Sequence, residues 1–90
     1  MESTFDICIS INGDVLGHFG TCKLGITVGK IVKLVKSNVV EAYLEIGGQK
    51  ENKYVVDLNN MGQTIEKVIE EKGFNVDTFA SNTITCYITE

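Results

Sequence analysis

The sequence predicts one α+β domain spanning residues 1–90, built from a single mixed five-stranded sheet with two helices packed on one of its faces. Three observations carry this. Apolar and polar residues alternate at period two in five separate stretches, as in half-buried strands. Two further stretches place apolar residues at helical spacing behind a hydroxyl or amide cap. The chain has 90 residues, enough for one core, and is rich in the β-branched side chains that suit a pleated surface.

Taken in order, Phe5, Ile7, Ile9 and Ile11 alternate with Asp6, Cys8 and Ser10, giving a first strand. Asn12-Gly13 is the strongest short hairpin signal, since both residues tolerate the positive φ of a type I′ turn. Residues 15–24 return as the second strand, so that a two-residue turn pairs Ile11 with Asp14, Ile9 with Leu16 and Ile7 with His18. Leu16, His18, Cys22 and Leu24 are then expected on the isoleucine face, with Gly17 and Gly20 marking a bulge or a close backbone approach. Thr27 is a candidate N-cap for a helix whose stripe is Val28, Ile31, Val32 and Val35, and Ser37-Asn38 ends it. Lys30, Lys33 and Lys36 lie mostly on the opposite side of that helix.

Val40, Ala42, Leu44 and Ile46 alternate with Glu41, Tyr43 and Glu45 as a third strand. After a polar loop, Tyr54, Val56 and Leu58 form the inward set of a fourth. Asn60 with Gln63 reads as a variant capping box for a second helix, with Met61, Ile65, Val68 and Ile69 buried. Gly73 stands where the helix end needs positive φ, and Phe74 can fold back on Ile69. Thr83–Thr89 closes as the fifth strand, expected at an exposed edge. Thr27-Val28-Gly29-Lys30-Ile31-Val32 also echoes Thr64-Ile65-Glu66-Lys67-Val68-Ile69, either as two capped amphipathic helices or as a duplicated βαβ half.

The order β-β-α-β-β-α-β admits a ferredoxin-like or a β-grasp-like sheet. An opening hairpin followed by a helix resembles the ubiquitin-like β-grasp arrangement, in element order only. The ferredoxin-like alternative has no slot for a hairpin partner beside its central first strand.

Catalytic constellations fail on spacing. A phosphate loop needs Gly where Leu24 stands and Ser or Thr where Ile31 stands. His18 and Cys22 lie roughly 13 Å apart along one strand, too far to share a zinc, and the same spacing separates Glu41 from Glu45. Glu70 and Glu71 read as a solvated helix end. Cys8, Cys22 and Cys86 form no CxxC pair and read as small buried hydrophobes, although a Cys8–Cys22 bridge within the hairpin stays open. No metal, cofactor or catalytic residue is expected, and the protein reads as a non-enzyme.

All eight basic residues are lysine, and the net charge is −4. Without Arg or interleaved aromatics the lysine stripe lacks what nucleic-acid grooves use, so nucleic acid is not the expected partner. No stretch approaches a membrane span, and Met1-Glu2-Ser3-Thr4 has no basic, apolar leader, which sets an expectation of no membrane and a cytoplasmic location, including a host cytoplasm. The expected function is that of a small non-enzymatic binding protein occupying a surface of another macromolecule, with a basic protein surface as the partner. Tyr43, Glu45, Thr85 and Tyr87, supported by Glu41, are the candidate contact residues on the open sheet face, because tyrosine offers large area plus a polar tip. Lys30, Lys33 and Lys36 are the secondary, basic candidate patch. Lysine, Asn and Ile richness resembles translation of an AT-rich gene, and with the small size suits a phage- or virus-type inhibitor of a host defence protein. A self-associating structural component, such as a homodimer formed by strand addition at Thr83–Thr89, is the alternative, followed by a small ligand-binding domain using His18 and Cys22.

Overall fold

The computed structural model describes residues 3–90; Met1 and Glu2, on which the reading of the N-terminus partly rests, lie outside the described residues. The elements run β1 (Phe5–Ile11), β2 (Asp14–Cys22), α1 (Val28–Val32), β3 (Glu41–Ile46), β4 (Lys53–Val55), α2 (Ile65–Lys72), a 3-10 turn (Val76–Thr78) and β5 (Thr83–Thr89). The five strands form one mixed sheet in the order β2-β1-β5-β3-β4, with β1 and β5 parallel at its centre and the other pairs antiparallel. This is the β-grasp-like order and not the ferredoxin-like one, because β1 is flanked by both its hairpin partner and the last strand. It also corrects the expected place of Thr83–Thr89: β5 is interior, paired on both sides, and offers no edge for strand addition. No helix among the described residues is long and apolar enough to cross a membrane.

Asn12 and Gly13 take positive φ and close the β1–β2 hairpin as expected. Beyond the turn the register departs from the simple count. Ile11 faces Asp14, but Ile9 faces Gly17 and Ile7 faces Gly20, so Leu16 and Phe19 are each an extra residue. Gly17 and Gly20 sit at φ 103° and 137°, where a side chain would be strained, and these are the bulge positions. One extra residue inverts the facing of every later residue in the strand. The first bulge therefore turns His18 outward, opposite Cys8, and leaves Leu16 exposed, against the expectation that both would join the isoleucine face. The second bulge restores the alternation and returns Cys22 to the core.

The core lies between one face of the sheet and the two helices. Ile7, Ile9, Leu44, Ile46, Ile84 and Cys86 cover the sheet side, and Val28, Ile31, Ile65 and Val68 the helix side. Each fully buried Ile, Leu or Val contributes about 1.5–3 kcal/mol relative to exposure. α1 ends at Val32, earlier than the stripe to Val35 predicts, while Val35 still packs on the core from the following turn.

The two helix N-termini are capped by each other. Thr27 and Thr64 are the N-caps, and their hydroxyls accept from the backbone N–H of Lys30 and Lys67, both at 3.2 Å. The preceding N–H groups cross over: Val28 and Gly29 donate to the carbonyls of Gln63 and Met61, and Ile65 and Glu66 to those of Ile26 and Leu24, all at 2.8–2.9 Å. A bridge between Thr27 and Thr64 joins the two segments. The cap of α2 is thus Thr64 and not Asn60, whose N–H instead closes a turn onto Asp57. The sequence echo marks this paired arrangement. At the other end Gly73 adopts the left-handed conformation and Phe74 donates to the Ile69 carbonyl, the helix end that the sequence predicts.

Removing either cap hydroxyl is expected to lower stability by about 1 kcal/mol. A methyl at Gly29 would meet the Met61 carbonyl at 3.1 Å and its Cβ at 3.2 Å. Gly29→Ala is therefore expected to destabilise although it raises helix propensity, and urea unfolding of Thr27→Ala, Thr64→Ala and Gly29→Ala checks both.

Candidate functional site: the open sheet face

With both helices on one side, the other face of the sheet is bare. The register aligns its outward residues into rows that cross the strands. One row runs Val15, Ser10, Tyr87, Tyr43, Val55 from β2 to β4, and the next runs His18, Cys8, Thr85, Glu45, Lys53. Glu41 lies beside Thr89 one step further along β3. All five predicted contact residues, Tyr43, Glu45, Thr85, Tyr87 and Glu41, therefore share this face.

Adjacency of β3 and β5 places Tyr43 directly opposite Tyr87, and their rings stack at 4.7 Å between centroids and 16° between planes. The Lys53 ammonium sits 4.2 Å from the Tyr43 ring centre, so the stack ends in a cation–π contact. Val15 and Val55, at the two ends of the row, are 78% and 69% exposed. Ser10 is only 3% exposed, lying between Val15 and Tyr87. Glu41, Tyr43, Lys53 and Val55 line a cavity of about 390 Å³ at the β3–β4 end of the row. The Glu41 and Glu45 carboxylates flank the aromatic row along β3, with the Lys53 ammonium opposite Glu45, and Asp6 stands two rows further along β1.

Burial pushes the Tyr87 phenol up from its ordinary value, and the Glu45 carboxylate and then Tyr43 and Cys8 add to the shift. The ring therefore stays neutral and able to donate a hydrogen bond at physiological pH. On the core side, Tyr54 is raised by burial and by Asp57 and Glu71, and its hydroxyl donates to Gln63 Oε1 at 3.1 Å.

The outward turn of His18 separates it from Cys22 and removes the pair on which a small ligand site would rest. His18 Nε2 instead lies 3.4 Å from Asp6 Oδ1, both side chains more than half exposed, a contact worth little to stability. Sequence reasoning missed this placement; the two glycines signalled a bulge, but not that there were two. Cys8, Cys22 and Cys86 are free thiols, and Cys8 and Cys22 face opposite sides of the hairpin, so no bridge joins them. Among the described residues no three His, Cys, Asp or Glu side chains converge as metal ligands would. Lys30, Lys33 and Lys36 sit on and after α1 and line cavities to which neither Tyr43 nor Tyr87 contributes.

Comparison with protein-family models, curated proteins and solved structures gives no match, so the functional reading rests on this geometry.

The thiols differ in a measurable way. Burial raises Cys22 and lifts Cys86 from 9.0 to about 12, whereas Cys8 is half-buried on the open face. Brief iodoacetamide treatment of the native protein is expected to add one adduct, at Cys8, read by mass spectrometry of peptides. The folded state holds the Cys86 proton more tightly than the unfolded chain does. This contribution to stability is present below pH 9.0 and is lost as pH rises toward about 12. Urea unfolding should show that alkaline loss, and Cys86→Ala, although less stable at neutral pH, should show a shallower one.

Proposed function

We propose that this protein is a non-enzymatic binding protein that covers a surface of another protein with its open sheet face. The single observation that carries this reading is the aromatic row: Tyr87 and Tyr43 stacked across neighbouring strands, with exposed valines at both ends. Stacking already fixes the rings, so less conformational freedom is lost on binding than for loose side chains, and each ring still offers a face or edge plus a hydroxyl. Aromatic anchors inside a polar rim are the pattern of an interface hot spot. The bordering carboxylates favour a partner whose surface is basic, with encounter accelerated at low salt.

Action in the cytoplasm, as a phage- or virus-type inhibitor of a host defence protein, is the finer form of this proposal; the acidic, lysine-only charge pattern supports it. Self-association is the competing outcome. Two bulges on β2 and the three-residue length of β4 blunt both sheet edges against flat strand addition.

A tagged pull-down from lysate of the source or host cells, comparing wild type with Tyr43→Ala/Tyr87→Ala, tests the proposal. One dominant partner is expected, bound at least roughly tenfold more weakly by the double variant, since truncating a hot-spot residue costs about 2 kcal/mol or more. Equal capture by a folded double variant, or recovery of the protein with itself alone, contradicts it.

A further inference from the structure

A groove beside α1 runs along the edge of the core, floored by side chains that pack on it, and borders the open-face cavity only through Leu58. Two overlapping cavities of about 520 and 580 Å³ form it, sharing Lys33, Leu58 and Met61. Its floor is apolar: Val32, Val35, Val39, Leu58 and Met61. Its rim is basic, made by Lys30 and Lys33 at one end and Lys33 and Lys36 at the other. No carboxylate lines either cavity, although the chain as a whole carries a net charge of −4. Among the described residues none of these three lysines forms an ion pair.

Ser37, at the end of the groove, adds an independent observation. Its Oγ is shielded from solvent and has no hydrogen-bond partner among the described residues. An unmade hydrogen bond of this kind costs about 1–3 kcal/mol.

We propose that this groove docks an acidic peptide segment of a partner protein, with an apolar side chain on the Val35–Val39–Leu58–Met61 floor and carboxylates against Lys33 and Lys36. Each feature of the groove selects for that chemistry. The floor requires an apolar anchor, and Met61 adapts to different shapes. The unpaired lysines require negative charge. No aromatic side chain lines the groove to stack a base, and no Arg is present to fork a phosphate, which disfavours nucleic acid. Two adjoining cavities make an elongated site, which suits a peptide segment, whereas a small ligand is largely enclosed in one. This site does not rest on the open-face reading: its lysines line no cavity of that face, and Leu58 is the one residue the groove shares with the cavity beside Tyr43.

The test is an amide NMR titration of the full chain with a synthetic peptide alternating Glu and Asp with Leu and Phe. Controls replace the acids by Lys, replace Leu and Phe by Ser, or use sodium laurate instead. Shifts are expected at Lys33, Val35, Ser37, Val39 and Met61, with binding weakened roughly tenfold or more in Lys33→Glu/Lys36→Glu and at high salt. These lysines are exposed, so the variant should fold, which circular dichroism verifies. Leu58→Ser tests the floor separately and should weaken binding while leaving the charge intact. Absence of shifts, shifts confined to the open sheet face, or equal binding by the charge-reversed variant overturns the proposal. So does equal binding of the Ser-substituted peptide, which would leave only diffuse charge attraction, or binding of laurate in place of the peptide.

Discussion

Mutual capping of α1 and α2 is the constraint on which the rest of the architecture depends. α1 has five residues and a β-branched sequence, and α2 has eight. Isolated helices of this length do not persist in water, because nucleation fixes several residues for one hydrogen bond. Here the N–H groups that a helix start leaves without partners are taken up by the segment entering the other helix, so neither terminus is complete alone. Apolar side chains on the same two helices then reach one side of the sheet together. Close approach at Gly29, which brings the Met61 backbone against α1, holds the two segments at that distance.

Placing both helices on one side has a direct consequence for function. The parallel β1–β5 pair sits at the sheet centre, buried on one face and bare on the other. The residues that stand on the bare face are decided by register, and register sets Tyr87 against Tyr43 and Tyr43 beside Val55. The aromatic row therefore arises from strand order together with alternation. The groove beside α1 carries charge of the opposite sign, since the Lys30, Lys33 and Lys36 rim runs beside an apolar floor while Glu41 and Glu45 flank the tyrosines. The domain thus presents two neighbouring surfaces of contrasting chemistry, an acid-flanked aromatic row and a lysine-rimmed groove.

Much of this was legible from the residues, and the failures have identifiable causes. β1 and β5 match the alternating stretches residue for residue, and the helix end at Gly73 comes from local chemistry. Outward facing of Tyr43, Glu45, Thr85, Tyr87 and Glu41 was also readable, because alternation assigns a face within each strand. Alternation does not name neighbours, so the Tyr43–Tyr87 stack was not readable, and the threonine-rich β5 passed for an edge. The β1–β2 hairpin went wrong between its two bulges: the glycines were visible, but each slip cancels the other, so Cys22 fell on the expected face while Leu16 and His18 did not. Asn60 passed for a helix cap because the interactions that select Thr64 come from residues 24–29, far away in sequence. The groove beside α1 was hidden for the same reason, since Leu58 and Met61 reach it from another part of the chain.

Amide hydrogen exchange measured residue by residue in the native protein tests the mutual-capping account most directly. The N–H groups of Val28, Gly29, Ile65 and Glu66, normally the fastest to exchange in a helix, are expected to be as protected as those of central strands β1 and β5 and to open only with global unfolding. Fast exchange at these four amides beside a protected sheet would contradict the account, for the two helices would then be held by side-chain packing alone.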